Sequence, residues 1–101
     1  MKALLIKPTE QAIEPIEITN KDEIIQLIGH ETVIADEIGN DGDHLFFDEE
    51  CFLRGTKGRF QLDNLIPVSG LGVIIASNDD GTLADSKLDM AAARSRIKFL
   101  D

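Results

Sequence analysis

Between Asp36 and Glu50 the chain reads D-E-I-G-N-D-G-D-H-L-F-F-D-E-E, with Gly39-Asn40-Asp41-Gly42 set between two short runs of strand length. Residues that tolerate positive φ between two such runs specify a β-hairpin, so this part of the chain is committed to antiparallel pairing. Its arms are Thr32 to Ile38 and Asp43 to Asp48. On the second arm Leu45 and Phe47 share one face while His44, Phe46 and Asp48 share the other, which places apolar side chains on both sides. The same stretch carries Asp36, Glu37, Asp41, Asp43, Asp48, Glu49 and Glu50 with no Lys or Arg among them. The hairpin therefore concentrates the negative charge of the molecule.

Around it the chain alternates strand and helix signals. Lys2 to Ile6 is a continuous apolar run closed by Lys7-Pro8, the pattern of a strand buried on both faces and ended by a residue that cannot donate to a ladder. Beyond a polar turn at Thr9 to Gln11, residues 13 to 18 alternate with a period of two, and Pro15 assigns that strand to an edge. Asn20, with Glu23 three residues on, opens a short helix of Ile24, Ile25, Leu27 and Ile28 that Gly29 stops. From Glu49 to Pro67 the periodicity breaks, which reads as a long packed connection with a short helical turn. Val73 to Ala76 is a second uninterrupted apolar run, led by Gly70-Leu71-Gly72 and followed by turn residues Asn78 to Gly81. Ser86 with Asp89 is read as the cap of a helix ending near Ser95, and Arg96 to Leu100 fits either a continuation of that helix or a final strand, the strand being favoured.

These elements specify one α+β domain over residues 1–101, with a mixed or antiparallel sheet of about five or six strands and the two short helices on one face. The chain is long enough to bury one modest core without staples. The formal charge of −9 argues against direct binding to nucleic-acid phosphates or anionic membranes and favours a basic protein partner. Cys51 stands alone, so no internal disulfide forms, and the cytoplasm is the expected compartment. The apolar run after Met1 is too short to be a signal-peptide core or a membrane span. Edge strands near Ile16, Ile18 or Phe99 offer a route to a homodimer.

Chemistry-bearing residues are present, but their spacing fits structural roles better than catalytic ones. With Gly42 placed at the glycine of a calcium-binding EF-hand loop, Glu37, Gly39 and Asp48 fall at ligand positions and supply too few oxygens. Asp41, Asp43 and His44 are near neighbours in sequence, and adjacent residues on a strand point to opposite faces, so no metal site follows. His30 has no second ligand at a useful spacing and reads as a helix-end histidine. Cys51 lies between Glu50 and Phe52, where the neighbouring carboxylates disfavour a thiolate, and it reads as a buried structural residue. Ser69, Ser77, Ser86 and Ser95 lack a nucleophile-elbow context. Gly70 and Gly72 precede a strand where a dinucleotide loop would follow one. No cofactor is implied. Arg54, Lys57 and Arg59, spaced by Gly55 and Gly58, form the one dense basic loop before the C-terminal segment and the alternative site, for a phosphate or nucleotide.

The opening M-K-A-L-L-I-x-P, the helix ending in I-G, the acidic hairpin running into F-F-D-E-E, the following L-x-G, the P-V-S-G-x-G-V-I-I strand and the terminal R-I-K-F-L together resemble a family of small domains of unknown function, encoded mainly by phages, plasmids and other mobile elements of bacteria. The resemblance spans Met1 to Leu100 and departs from the family's pattern between Gly55 and Leu65. It implies a compact α+β domain in a bacterial cytoplasm and carries no catalytic residue. Combined with the charge, it leads to the expectation of a non-catalytic binding or regulatory protein whose acidic hairpin meets a basic partner.

Overall fold

The two uninterrupted apolar runs become neighbouring central strands. In the computed structural model, which describes residues 1–100, the chain runs β1 (Lys2–Lys7), a 3-10 turn (Pro8–Glu10), β2 (Ala12–Glu17), α1 (Lys21–Ile28), β3 (Val33–Glu37), β4 (Asp43–Asp48) and α2 (Cys51–Arg54), then β5 (Arg59–Leu62), β6 (Val68–Ser69), β7 (Gly72–Ser77), β8 (Leu83–Ala84), α3 (Met90–Arg96) and β9 (Ile97–Phe99). The main sheet has the order β2-β1-β7-β4-β3, with β8 added to the end of β7, and every pairing in it is antiparallel. A second sheet of three strands, β6-β5-β9, is antiparallel as well. The α+β class and the six-stranded antiparallel sheet are those expected from the hairpin pattern.

Because β1 and β7 are apolar on both sides, each must be covered on both sides. Ala3 and Leu5 of β1 and Val73 and Ile75 of β7 pack with Ile24 and Ile28 of α1. Leu4, Ile6 and Ile74 face the other way and pack with Phe60 and Leu62 of β5, Ala93 of α3 and Ile97 of β9. The helices thus lie on opposite faces, and the expectation of both on one face is corrected. The three-stranded sheet with α3 forms a third layer, since one helix of eight residues covers only one side of six strands. Each fully buried Ile, Leu or Phe in these layers contributes about 1.5–3 kcal/mol relative to exposure.

Local chemistry sets the ends of the elements. The Asn20 carboxamide oxygen accepts the Glu23 N–H at 3.1 Å, and the Glu23 carboxylate accepts the Thr19 N–H at 3.1 Å. Gly29 closes α1 at φ 88°, donating to the Ile25 carbonyl at 2.8 Å. The expected helix from Ser86 begins later, at Met90, with Asp89 itself as the cap, its carboxylate accepting the Ala92 N–H at 2.7 Å. The cause is long-range: the Asp43 carboxylate takes the N–H groups of Lys87 and Leu88 at 3.0 and 2.8 Å, which holds residues 86–88 out of the helix. The connection from Glu49 to Pro67, read as irregular, contains α2, β5 and the approach to β6. Its β5 is only four residues long, with Phe60 and Leu62 fully buried.

The Gly70-Leu71-Gly72 segment serves two ends. Gly70 turns the chain at φ 87°. Gly72 lets the second sheet close on the first, because a Cβ there would meet Phe60 Cζ at 2.7 Å and Leu45 Cδ1 at 3.1 Å. Arg96, where α3 passes directly into β9, donates from Nη2 to the Ile38 carbonyl at 2.6 Å and from Nε to both Asp63 oxygens at 3.1 and 3.0 Å. That guanidinium holds the Asp63 carboxyl below the usual carboxylate range.

Candidate functional site

The acidic hairpin divides into two kinds of carboxylate. Asp43 and Asp48, at the two ends of β4, are buried at 5% and 3% exposure, so neither presents a free carboxylate to a partner. This corrects their assignment to a binding surface. Asp43 is committed to the 86–88 segment, where the Ser86 hydroxyl also donates to it at 3.4 Å. Asp48 accepts from the Thr32 hydroxyl, from the Glu50 N–H at 3.0 Å and from Arg54 Nε at 2.8 Å. Burial opposes its ionisation, but the bonds from Thr32, the Glu50 amide and Arg54 outweigh it and hold the carboxyl below the ordinary range.

Asp36 and Glu37 of β3, Asp41 of the turn and Glu49 after β4 are exposed, and Glu50 is half-buried. Among the described residues no cation pairs with any of these five. Asp36 and Glu37 lie on an outer strand, because β3 bonds to β4 on one side and, among the described residues, to no strand on the other. The bonds from the Ile38 N–H to the Asp43 carbonyl and from the Glu49 N–H to the Thr32 carbonyl fix the parity of the ladder. In an antiparallel pair, hydrogen-bonded and non-hydrogen-bonded positions alternate. Residues 34 and 36 therefore bond inward to Phe47 and Leu45, and Val33, Ala35 and Glu37 turn their N–H and C=O groups outward.

The opposite edge is built differently. Ile18 and Met1 exchange N–H to C=O bonds at 2.8 Å, which makes Ile13, Pro15 and Glu17 the outward positions of β2. Pro15 has no N–H to offer there, and α3 packs against the same strand.

The basic loop does not act as one cluster. Arg54 is tied to Asp48 and also donates from Nη2 to the Thr32 hydroxyl at 3.1 Å. Lys57 borders a separate cleft of about 400 Å³ between the Pro8-Thr9 turn, the end of α1 and the Ser69 to Leu71 segment. Arg59 opens β5. His30 lines the Lys57 cleft together with the hydroxyl-bearing Thr9, Thr56 and Ser69 and the carboxylate-bearing Asp48. Sequence reasoning passed over this grouping, since its members come from five separate segments. Cys51 is buried, its Sγ accepting the Ser69 N–H at 3.4 Å. Among the described residues no group of three His, Cys, Asp or Glu side chains converges where a cation could sit, and no helix is long and apolar enough to cross a membrane. Compared with protein-family models, with curated proteins and with solved structures, the chain finds no match in any of the three.

Proposed function

We propose that the protein is a non-catalytic binding or regulatory protein whose acidic hairpin engages a basic protein partner. The observation that carries this reading is the exposure of Asp36, Glu37 and Asp41, with Glu49 nearby in sequence, none of them neutralised by a cation among the described residues. Unpaired surface carboxylates on a chain of net charge −9 steer cations toward them and speed encounter with a basic surface. The resemblance to mobile-element domains supplies a setting, a bacterial cytoplasm with a basic host or element-encoded protein as target. Neutralising Asp36, Glu37, Asp41 and Glu49 to Asn or Gln tests the reading. Capture of basic proteins should be lost in the variant and should weaken steeply with salt in the native protein; salt-insensitive capture, equal in both, refutes it.

A second reading, a phosphate- or nucleotide-sized anion, draws on the cleft that gathers Lys57, His30 and the hydroxyl-bearing Thr9, Thr56 and Ser69, where the carboxylate of Asp48, held by Arg54, also lines the wall and opposes an anion. A ligand bound there raises the melting temperature by mass action, and Lys57→Ala should remove the shift seen with pyrophosphate or nucleotides. An unchanged shift in that variant places the anion elsewhere.

A further inference from the structure

The two ends of the main sheet are treated in opposite ways. At β2 the central outward donor is missing because Pro15 stands there, and α3 lies against the strand. The proline is a device that natural sheets use to stop another chain from pairing, whereas α3 packs on the sheet face through Ile13. No proline stands in β3. Val33, Ala35 and Glu37 turn three N–H and three C=O groups away from β4, no hydrogen bond among the described residues uses them, and Ala35, Asp36 and Glu37 are exposed. An open edge with small side chains at its centre and carboxylates at one end is a template for a strand from elsewhere.

Charge decides which strand. A second copy pairing antiparallel about Ala35 would set Ile34 against Asp36 and Val33 against Glu37, and would bring two chains of −9 together. An extended segment with Lys or Arg opposite Asp36 and Glu37, and β-branched or small residues opposite Ile34 and Ala35, meets complementary groups at every position. We infer that β3 binds a basic, extended peptide segment by strand addition, continuing the main sheet beyond its open edge. The inference rests on the acidic-surface reading above and adds to it the mode of binding and the conformation of the partner.

The test uses the full chain and a synthetic peptide, acetyl-Thr-Lys-Lys-Thr-Val-Thr-Lys-amide, whose Lys-Lys-Thr-Val-Thr core faces Glu37, Asp36, Ala35, Ile34 and Val33 in antiparallel register, alongside the same peptide N-methylated at every residue. Methylation removes the backbone donors and leaves the charge. The parent should bind at low salt and protect the amides of Val33, Ala35 and Glu37 from exchange, and the methylated peptide should bind about tenfold more weakly or worse. Asp36→Asn with Glu37→Gln and Asp41→Asn should weaken the parent and flatten its salt dependence. Ala35→Pro should block binding without changing charge; should that variant not fold, the methylated peptide carries the same comparison. Equal binding of parent and methylated peptides, or protection at Ile13 and Glu17 instead, overturns strand addition and leaves the acidic-surface reading standing. Unchanged binding of both the parent peptide and polylysine after the three neutralisations overturns the acidic surface itself. Binding of polylysine without binding of the parent overturns strand addition alone, and failure of both to bind overturns both.

Discussion

Asp43 and Asp48 look like their acidic neighbours in the chain, yet each closes a part of the structure. Replacing Asp43 with Ala leaves the Lys87 and Leu88 N–H groups without their acceptor and should cost about 1–3 kcal/mol in urea denaturation, whereas Ser86→Ala, which removes a hydroxyl shared between two long contacts to Asp43 and the Leu88 carbonyl, should cost a small fraction of that. Equal costs would mean that the 86–88 segment is held by packing. Asp48 gives a pH signature. Its folded pKa lies below the ordinary value of 3.8, so its contribution is fully present above that value and is lost as the pH falls through the folded pKa. Stability of the native protein should therefore drop faster below about pH 4 than that of Asp48→Asn, which begins less stable but has no such proton to bind. Parallel curves would assign the acid sensitivity to other groups. That these two aspartates are internal was not legible in the sequence, because apart from the Glu50 amide their partners lie 6 to 45 residues away.

Among the elements, the helix opened by Asn20 and the hairpin about residues 39–42 were legible because their signals are local: a cap, a stop glycine, a turn. The short strands β5 and β6 were not. Phe60 and Leu62 do alternate, but four residues between Gly58 and Asp63 are too few for a period to stand out, and their burial comes from β9 and from β1 and β7, distant in the chain. The Ser86–Asp89 pair misled for a related reason, since a favourable local capping pattern lost to a buried carboxylate. Gly72 shows how an element can be specified by a missing atom. Gly72→Ala should destabilise the protein by about 1–3 kcal/mol because the ring of fully buried Phe60 has nowhere to move, and Gly72→Ala with Phe60→Leu should recover part of the loss. No recovery would show that the strain falls on Leu45 instead. The edge composition was legible in half: Pro15 marked β2 as outer, whereas the open state of β3 needed the strand order.

For the whole molecule, the apolar runs of β1 and β7 already required cover on both faces, and assigning both helices to one side left that requirement unmet. What supplied the second cover was the segment that looked irregular. The net charge acts at this scale too. The molecule measures 32 × 29 × 21 Å, comparable with the screening length of about 30 Å at 10 mM salt and well beyond the roughly 8 Å at 150 mM. Adding salt over that range should therefore relieve self-repulsion and raise the melting temperature. A fall would mean that ion pairs such as Lys7–Glu10 and Asp63–Arg96 outweigh the repulsion. One further consequence belongs to the junction at Arg96, where helix gives way to strand with no intervening residue. Such a junction has no hinge. The Ala93 amide, bonded to Asp89 in α3, and the Leu100 amide, bonded to Arg59 beyond β9, should exchange with solvent hydrogen through a single shared opening, so that the third layer detaches as one cooperative unit or not at all.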